Sequence, residues 1–369
     1  MTASLHDKII KIIDEEGPIP LDRFMALALT DPDHGYYSTK TAIGKDGDFI
    51  TAPEISQMFG ELCGLWGIDQ IISQGLIEEA AWLELGPGRG TLMSDVIRVL
   101  SSALPTKVDP WTVHLIEVHP ALKKIQRDKL ENITDLHHHT DLSNLPKKPL
   151  VFLANEFFDA LPIRQFIARQ GQWFERLVSH KDRSLMFITS ANPADKSISG
   201  SIHPSFDYEI LEYCPALQDI TKLISDHINT FGGAALIIDY GKDNAVGDSL
   251  QAVRNHKPVY IFDEPGQCDL SAWIDFSTIR GAATNAGAKV FGPQTQGDFL
   301  KQLGLYQRAE QLALGSEPDE RRKIAAAVDR LSSPAQMGGA FKVMAILPAS
   351  HPAKKPQDIA GFEPIDKTR

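Results

Sequence analysis

Cysteine is scarce in this chain: Cys63, Cys214 and Cys268 are the only three in 369 residues, far apart and with no C-x-x-C pair. An odd, scattered set excludes a disulfide frame and fits a reducing compartment. Long apolar runs are missing too, and none approaches the roughly 20 residues a membrane span needs. Positive charge is in deficit, with 37 Lys and Arg against 48 Asp and Glu and a net charge of −11. That balance argues against a general phosphate-binding surface, so no nucleic-acid partner is expected. The opening MTASLHDKIIKIIDEEG has neither an apolar signal core nor an Arg-rich, acid-poor presequence. These absences predict a soluble cytoplasmic protein with no membrane partner. No metal site is expected either. His137-His138-His139 looks like a metal cluster, but neighbours on a strand point to opposite faces. No second His, Cys or Asp set stands at ligand spacing.

What is present is a chain long enough for a large core, one domain with elaborations or one and a half domains. The rest is organised around Ala81-Trp82-Leu83-Glu84-Leu85-Gly86-Pro87-Gly88-Arg89-Gly90. A short apolar run ends in glycines at every second position and leads into a helical pattern with Leu92, Val96 and Leu100 on one side. Strand, tight glycine turn and helix make the first crossover of a doubly wound α/β sheet. The G-x-G-x-G spacing is not the G-x-G-x-x-G of dinucleotide binders, and no G-K-S/T follows. An acid just before the glycines, Glu84, suits a ligand with a cationic amino-acid end, and S-adenosylmethionine is such a ligand.

The next strand, Trp111–Glu117, carries an acid at its carboxyl edge, and Glu117 there can accept both ribose hydroxyls of a nucleoside. Asp141 and Leu142 sit where the third strand should end, in position for an adenine contact. Leu150–Ala154 is a fourth strand, followed by Asn155-Glu156-Phe157-Phe158-Asp159. Ligands of open α/β sheets bind outside the carboxyl ends of strands. Glu156 and Asp159, three apart, fall on one side of a helical turn there. Gln172–Val178 and Ser184–Ile188 read as hairpin strands in an insertion from Arg164 to Phe206. Ala216–Thr230 reads as a helix, and Ala234–Tyr240, Ala288–Phe291 and Lys342–Leu347 as strands, with a helix at Asp298–Ala313. Ahead of the sheet, residues 1–75 read as mainly helical material. The tail, 348–369, with its prolines and Lys354-Lys355, is expected to be poorly ordered.

PDHGYYS, GDFITAPE followed by Phe59-Gly60, ELGPGRG, and NEFFDALP at Asn155–Pro162 occur in that order. Later come IDYG at Ile238–Gly241, DLSAWIDF at Asp269–Phe276, Met337-Gly338 and Phe341-Lys342. Together these words resemble the MidA family, S-adenosylmethionine-dependent methyltransferases that include the mitochondrial complex I assembly factor. The resemblance runs from about Asp22 to about Leu347. At Trp273 the sequence departs from the family pattern, where histidine is usual, so no role of that histidine carries over. The resemblance implies a seven-stranded Rossmann-like class I methyltransferase sheet over 76–347, with a helical N-terminal cap and an inserted β-hairpin region. It also implies an arginine of a protein partner as methyl acceptor, such as a complex I subunit. Arginine stays protonated at neutral pH, so its site needs carboxylates that grip two guanidinium nitrogens. Glu156 and Asp159 are the first pair expected in that catalytic role, and Asp48 and Glu54 the second. Glu84, Gly86, Pro87, Gly88, Gly90, Glu117, Asp141, Leu142 and Asn155 are expected to hold the cofactor. A small-molecule methyltransferase would share the cofactor half. A non-catalytic assembly chaperone would have no reason to keep Glu84, the three glycines and Glu117 together.

Overall fold

A computed structural model of the chain describes residues 4–39, 51–104, 111–131, 133–195, 209–243 and 246–363. Helix α1 (Leu5–Glu16) is capped by Ser4, whose hydroxyl accepts the Asp7 main-chain N–H while the Asp7 carboxylate accepts that of Ser4. After Ile19-Pro20 comes α2 (Leu21–Thr30), and further on α3 (Gln57–Ser73). The central sheet is then built from β1 (Ala81–Leu85), β2 (Trp111–Ile116), β3 (Thr134–His139), β4 (Leu150–Asn155), β5 (Gly233–Lys242), β6 (Lys289–Thr295) and β7 (Phe341–Leu347). Their order is β6-β7-β5-β4-β1-β2-β3. Strands β1 to β5 are mutually parallel, and β7 lies antiparallel between β5 and β6. The implied seven strands thus lie on one path, and Ile274–Asp275 adds an eighth short strand beside the end of β5.

The sheet is buried on both faces, as a parallel sheet with crossover helices must be. Trp82, Val113, Val151, Leu153, Leu236 and Val343 face one core, and Ala81, Leu83, Phe152, Ala235, Ile237 and Met344 the other. The strand alternation of period two assigns each residue to its side. Helix α3 lies close on the helix Thr91–Ala103: a Cβ at Gly60 would stand 2.6 Å from that of Asp95, and one at Gly64 2.7 Å from Val99 Cγ1.

Beside this body stands an antiparallel sheet from Arg164–Arg169, Gln172–Lys181, Ser184–Pro193 and Ile210–Tyr213. The expected hairpin is there, and the two residues Ile19-Pro20 add to its edge opposite Val178 and Leu177. Helices α1 and α2 bury Ile9, Ile13, Phe24 and Met25 in a core shared with Val178, Leu185, Phe262 and Leu270. Within residues 1–75, then, α1 and α2 lie with the accessory sheet, whereas α3 lies on the central one.

Two differences from the sequence reading lie near the end of the chain. The helix expected over Asp298–Ala313 is broken at Gly304, whose φ of 92° is left-handed, and a further helix, Pro318–Ser332, follows. The stretch after Leu347, expected to be poorly ordered, is folded onto the core as far as residue 363. Ala353, Ile359 and Phe362 are buried there, and Lys289 Nζ donates to the carbonyls of His351 and Ala353. Three spaced apolar side chains and hydrogen bonds from Lys289 and Gln302 hold a segment whose composition reads as coil.

Candidate functional site

The glycine turn does what its spacing predicts. Gly86, Gly88 and Gly90 have φ values of 62°, 51° and 73°, the left-handed region that glycine alone enters without a Cβ penalty. Gly90 N–H donates to the Pro87 carbonyl at 2.7 Å, closing the turn, and Gly86 N–H donates to Ile116 O at the end of β2. Helix α4 (Thr91–Ala103) starts at once, with no side chain capping its first turn. A cleft lined by Glu84, Gly86, Pro87, Gly88, Glu54 and Asn155, among others, opens at this helix start.

Among the described residues, two buried polar atoms on residues that line this cleft have no partner: Glu84 Oε2 and Asn155 Oδ1. Burial pushes the Glu84 carboxyl up to about 8, while the Met93 main-chain N–H draws it down. Both orphans can accept a hydrogen bond, so a ligand that donates there would satisfy them. The ammonium of an amino-acid ligand supplies such donors. Glu54 reaches the cleft from the opposite side, where Thr91 Oγ1 donates to its carboxylate at 2.6 Å. Asp48, named with it, lies outside the described residues.

Glu117 follows β2 and is almost buried. Its two oxygens accept the His119 N–H at 2.8 Å and Gln126 Nε2 at 3.0 Å. Gln126 was not anticipated, yet the same amide nitrogen donates to the Gly88 carbonyl at 2.7 Å. It ties the glycine turn to the acid one strand away, and His138 in turn meets the Gln126 carbonyl at 2.8 Å. Nothing in its sequence context, a helix of mixed polarity, singles it out. His139 bonds instead to His114, and His137 pairs with Asp135, so the three consecutive histidines have three different partners. Asp141 turns its carboxylate onto Ser143 of its own loop, and Leu142 packs at the edge of a core.

At the end of β4 the chain makes a turn in which Glu156 takes φ 51°, uncommon for a residue with a side chain. Glu156 N–H donates to Ile238 O, and its carboxylate accepts Ala52 N–H and Asn155 Nδ2 at 3.2 Å each. Burial lifts it to about 7, and Asp269 adds to the rise. Asp159 is likewise lifted to about 7, by burial and then by Glu156. The two acids are close enough to act on each other, and the fold brings two more beside them. Asp239, at the end of β5, is fully buried and also pushed up, by burial and by Asp159. Asp269 accepts the Tyr37 hydroxyl at 2.8 Å, and burial with Asp269 and Asp159 drives that phenol well up. Asp239 and Asp269 stand in IDYG and DLSAWIDF, words the sequence reading noticed without assigning them a role.

A family profile of S-adenosyl-L-methionine-dependent methyltransferases matches residues 62–294. The chain is 33% identical to the mitochondrial protein arginine methyltransferase NDUFAF7 of Danio rerio, over 99% of this chain and 94% of that protein. It is 36% identical to the NDUFAF7 protein of Homo sapiens, over 91% of this chain and 81% of that one. A crystal structure from Burkholderia thailandensis bound to S-adenosyl-homocysteine superposes with a TM-score of 0.81 at 25% identity, covering 94% of this chain and 92% of that one. The cytoplasmic location expected from the sequence is overturned by these relatives, which are mitochondrial. Charge balance and sparse cysteine do not separate one soluble reducing compartment from another. S-adenosylmethionine is accordingly the cofactor, and the chain belongs to the MidA-like, NDUFAF7-related family of S-adenosylmethionine-dependent methyltransferases.

Proposed function

We propose that this methyltransferase acts on an arginine of a protein partner, a subunit of the respiratory complex I kind. The observation that carries the reading is the pair of half-buried carboxylates, Glu156 and Asp159, at the carboxyl end of β4, with Glu156 lining the cleft. When bound, the cofactor supplies a methyl group already activated by its sulfonium. The free oxygen of Glu84 takes the ammonium of the cofactor, and Asn155 accepts a second hydrogen bond from it. The bare main chain of Gly86, Pro87, Gly88 and Gly90 allows close approach, Glu117 holds the ribose, and Asp141 and Leu142 border the adenine. On the other side, Glu156 and Asp159 grip the guanidinium and hold it in line for attack. Glu54 borders the donor side of the same cleft, and Asp48 belongs to the same expected set.

Free arginine has little else to hold, so binding energy must come from a protein segment remote from the reacting centre. The accessory sheet with α1 and α2 forms the wall for such a segment, and the net charge of −11 attracts a basic one. Labelled S-adenosylmethionine, incubated with mitochondrial or bacterial protein extract and the enzyme, should mark an arginine that mass spectrometry can place. The peptide bearing it should then be labelled, and its Arg→Lys version should not. Equal labelling of the two would refute arginine as the acceptor.

The role of Glu117 has its own test. Glu117→Ala should lose about 1.5 to 3 kcal/mol of cofactor affinity, the range for hydrogen bonds to a charged group. Circular dichroism should report an intact fold. An unchanged dissociation constant for S-adenosylhomocysteine by calorimetry would leave Glu117 as no more than a tie between His119 and Gln126.

A further inference from the structure

Of the four acids at the acceptor side, Asp239 is the one that substrate cannot touch: it is fully buried, and both its oxygens are occupied. Oδ2 accepts the main-chain N–H groups of Phe158 at 2.9 Å and Asp159 at 3.2 Å, and Oδ1 accepts that of Tyr240 at 2.8 Å. The first two belong to the turn that carries Glu156 and Asp159, a turn that begins with Glu156 in the left-handed region. Resting on the acceptor reading above, we propose that Asp239 is a positioning residue of the acceptor site. It clamps the 156–159 turn from the neighbouring strand, and its charge governs when Asp159 can ionise.

The charge follows from the hydrogen bonds. Burial and the neighbouring acids push the carboxyl up, but its oxygens accept three main-chain N–H groups and neither meets a hydrogen-bond acceptor among the described residues, so the ionised form is the one its hydrogen bonds hold. Two carboxylates at such close quarters inside a protein titrate as a pair, with the first charge opposing the second. With the charge held on Asp239, the proton stays on Asp159 until a cation arrives. The other charged neighbours do not replace this effect. Lys342 stands across from Asp239 on β7, but its ammonium donates to the Gly339 carbonyl. Arg330 draws down Glu156 and Tyr240, Asp269 is bonded to the Tyr37 hydroxyl and raises Glu156, and Glu156 adds to the rise of Asp239. The Asp159 carbonyl also accepts Ala272 N–H at 3.0 Å, so the turn is pinned from two sides and has little room to relax.

The test is the pH profile of methyl transfer to the arginine peptide found by labelling, compared between the unaltered protein and Asp239→Asn. The asparagine keeps the shape, loses the charge and turns an N–H group toward one of the three donors. Its acid limb should move to lower pH by about half a unit or more. The turnover number at the optimum should fall about tenfold or more through the loosened turn. S-adenosylhomocysteine should still bind within about threefold, since the clamp lies away from the cleft. An acid limb at the unaltered position, with activity kept or lost, would overturn the proposal, since a purely structural residue moves no limb. Asp239→Ser is the second variant if asparagine prevents folding, and loss of S-adenosylhomocysteine binding in both would equally overturn it. If instead Glu156→Gln and Asp159→Asn leave transfer untouched, it is the acceptor reading that fails.

Discussion

Gly86→Val is expected to abolish S-adenosylhomocysteine binding, with a loss of at least about a hundredfold in affinity. Gly86 has φ 62°, and a Cβ built there would lie 2.9 Å from Phe157 Cδ2. A β-branched residue in the left-handed region costs upwards of about 1 to 3 kcal/mol by itself, and the clash with an aromatic ring adds to it. The turn can escape only by swinging its main chain, and its N–H is already tied to Ile116 O beside Glu117. Either the ring of Phe157 moves into the cleft or the turn does, and both close the approach that the ligand needs. Calorimetry with S-adenosylhomocysteine checks this, with circular dichroism to show that the protein still folds. NAD, which the glycine spacing does not suit, should bind neither the variant nor the unaltered chain. Binding of S-adenosylhomocysteine within about tenfold of the unaltered protein would take Gly86 out of the cofactor's path.

The cofactor half of the site was legible in the sequence because its determinants are local. Ten residues contain the strand, the three left-handed glycines and the helix start, and Glu84 sits among them. Gln126 was not legible, since a buried glutamine acquires its meaning only when the loop it bonds to is in place. The acid cluster beside it was half legible. Glu156 and Asp159 lie in one short stretch at a strand end, where position alone argues for a role. Asp239 is 80 residues beyond Asp159, and Asp269 farther still; only the parallel pairing of β4 with β5 brings the former alongside. The same limit explains the accessory sheet. Its hairpin strands run ten residues each and carry the apolar runs Trp173-Phe174, Leu177-Val178 and Leu185–Ile188, whereas the Ile19-Pro20 edge is a two-residue link whose pairing nothing local announces. The helix Pro318–Ser332 escaped for another reason, as only Leu331 and Ser332 of it are buried, leaving a weak apolar stripe to read.

The second large effect belongs to the carboxylates themselves. Glu156→Gln keeps the shape and an oxygen that can still accept Ala52 N–H and Asn155 Nδ2, but it cannot carry charge. Transfer to the arginine peptide should slow by about tenfold or more, in line with the loss of one preorganised electrostatic contact. Asp159→Asn should act in the same direction and less strongly. S-adenosylhomocysteine affinity should hold in both, because neither change touches Glu84, the glycines or Glu117. The pH dependence separates this account from simple misplacement. Burial raises both acids to about 7, so each is neutral below that pH and charged above it. Only the charged forms grip a cation; transfer should therefore fall as pH drops through 7, and S-adenosylhomocysteine binding should not follow the same curve. In Glu156→Gln one of the two ionisations is gone, and Asp159 loses a negative neighbour, so the remaining limb should be shallower and lie at lower pH. Full activity in both variants, or an acid limb unchanged by either, would remove these two carboxylates from the acceptor side. The chain would remain a methyltransferase whose substrate is gripped by groups elsewhere.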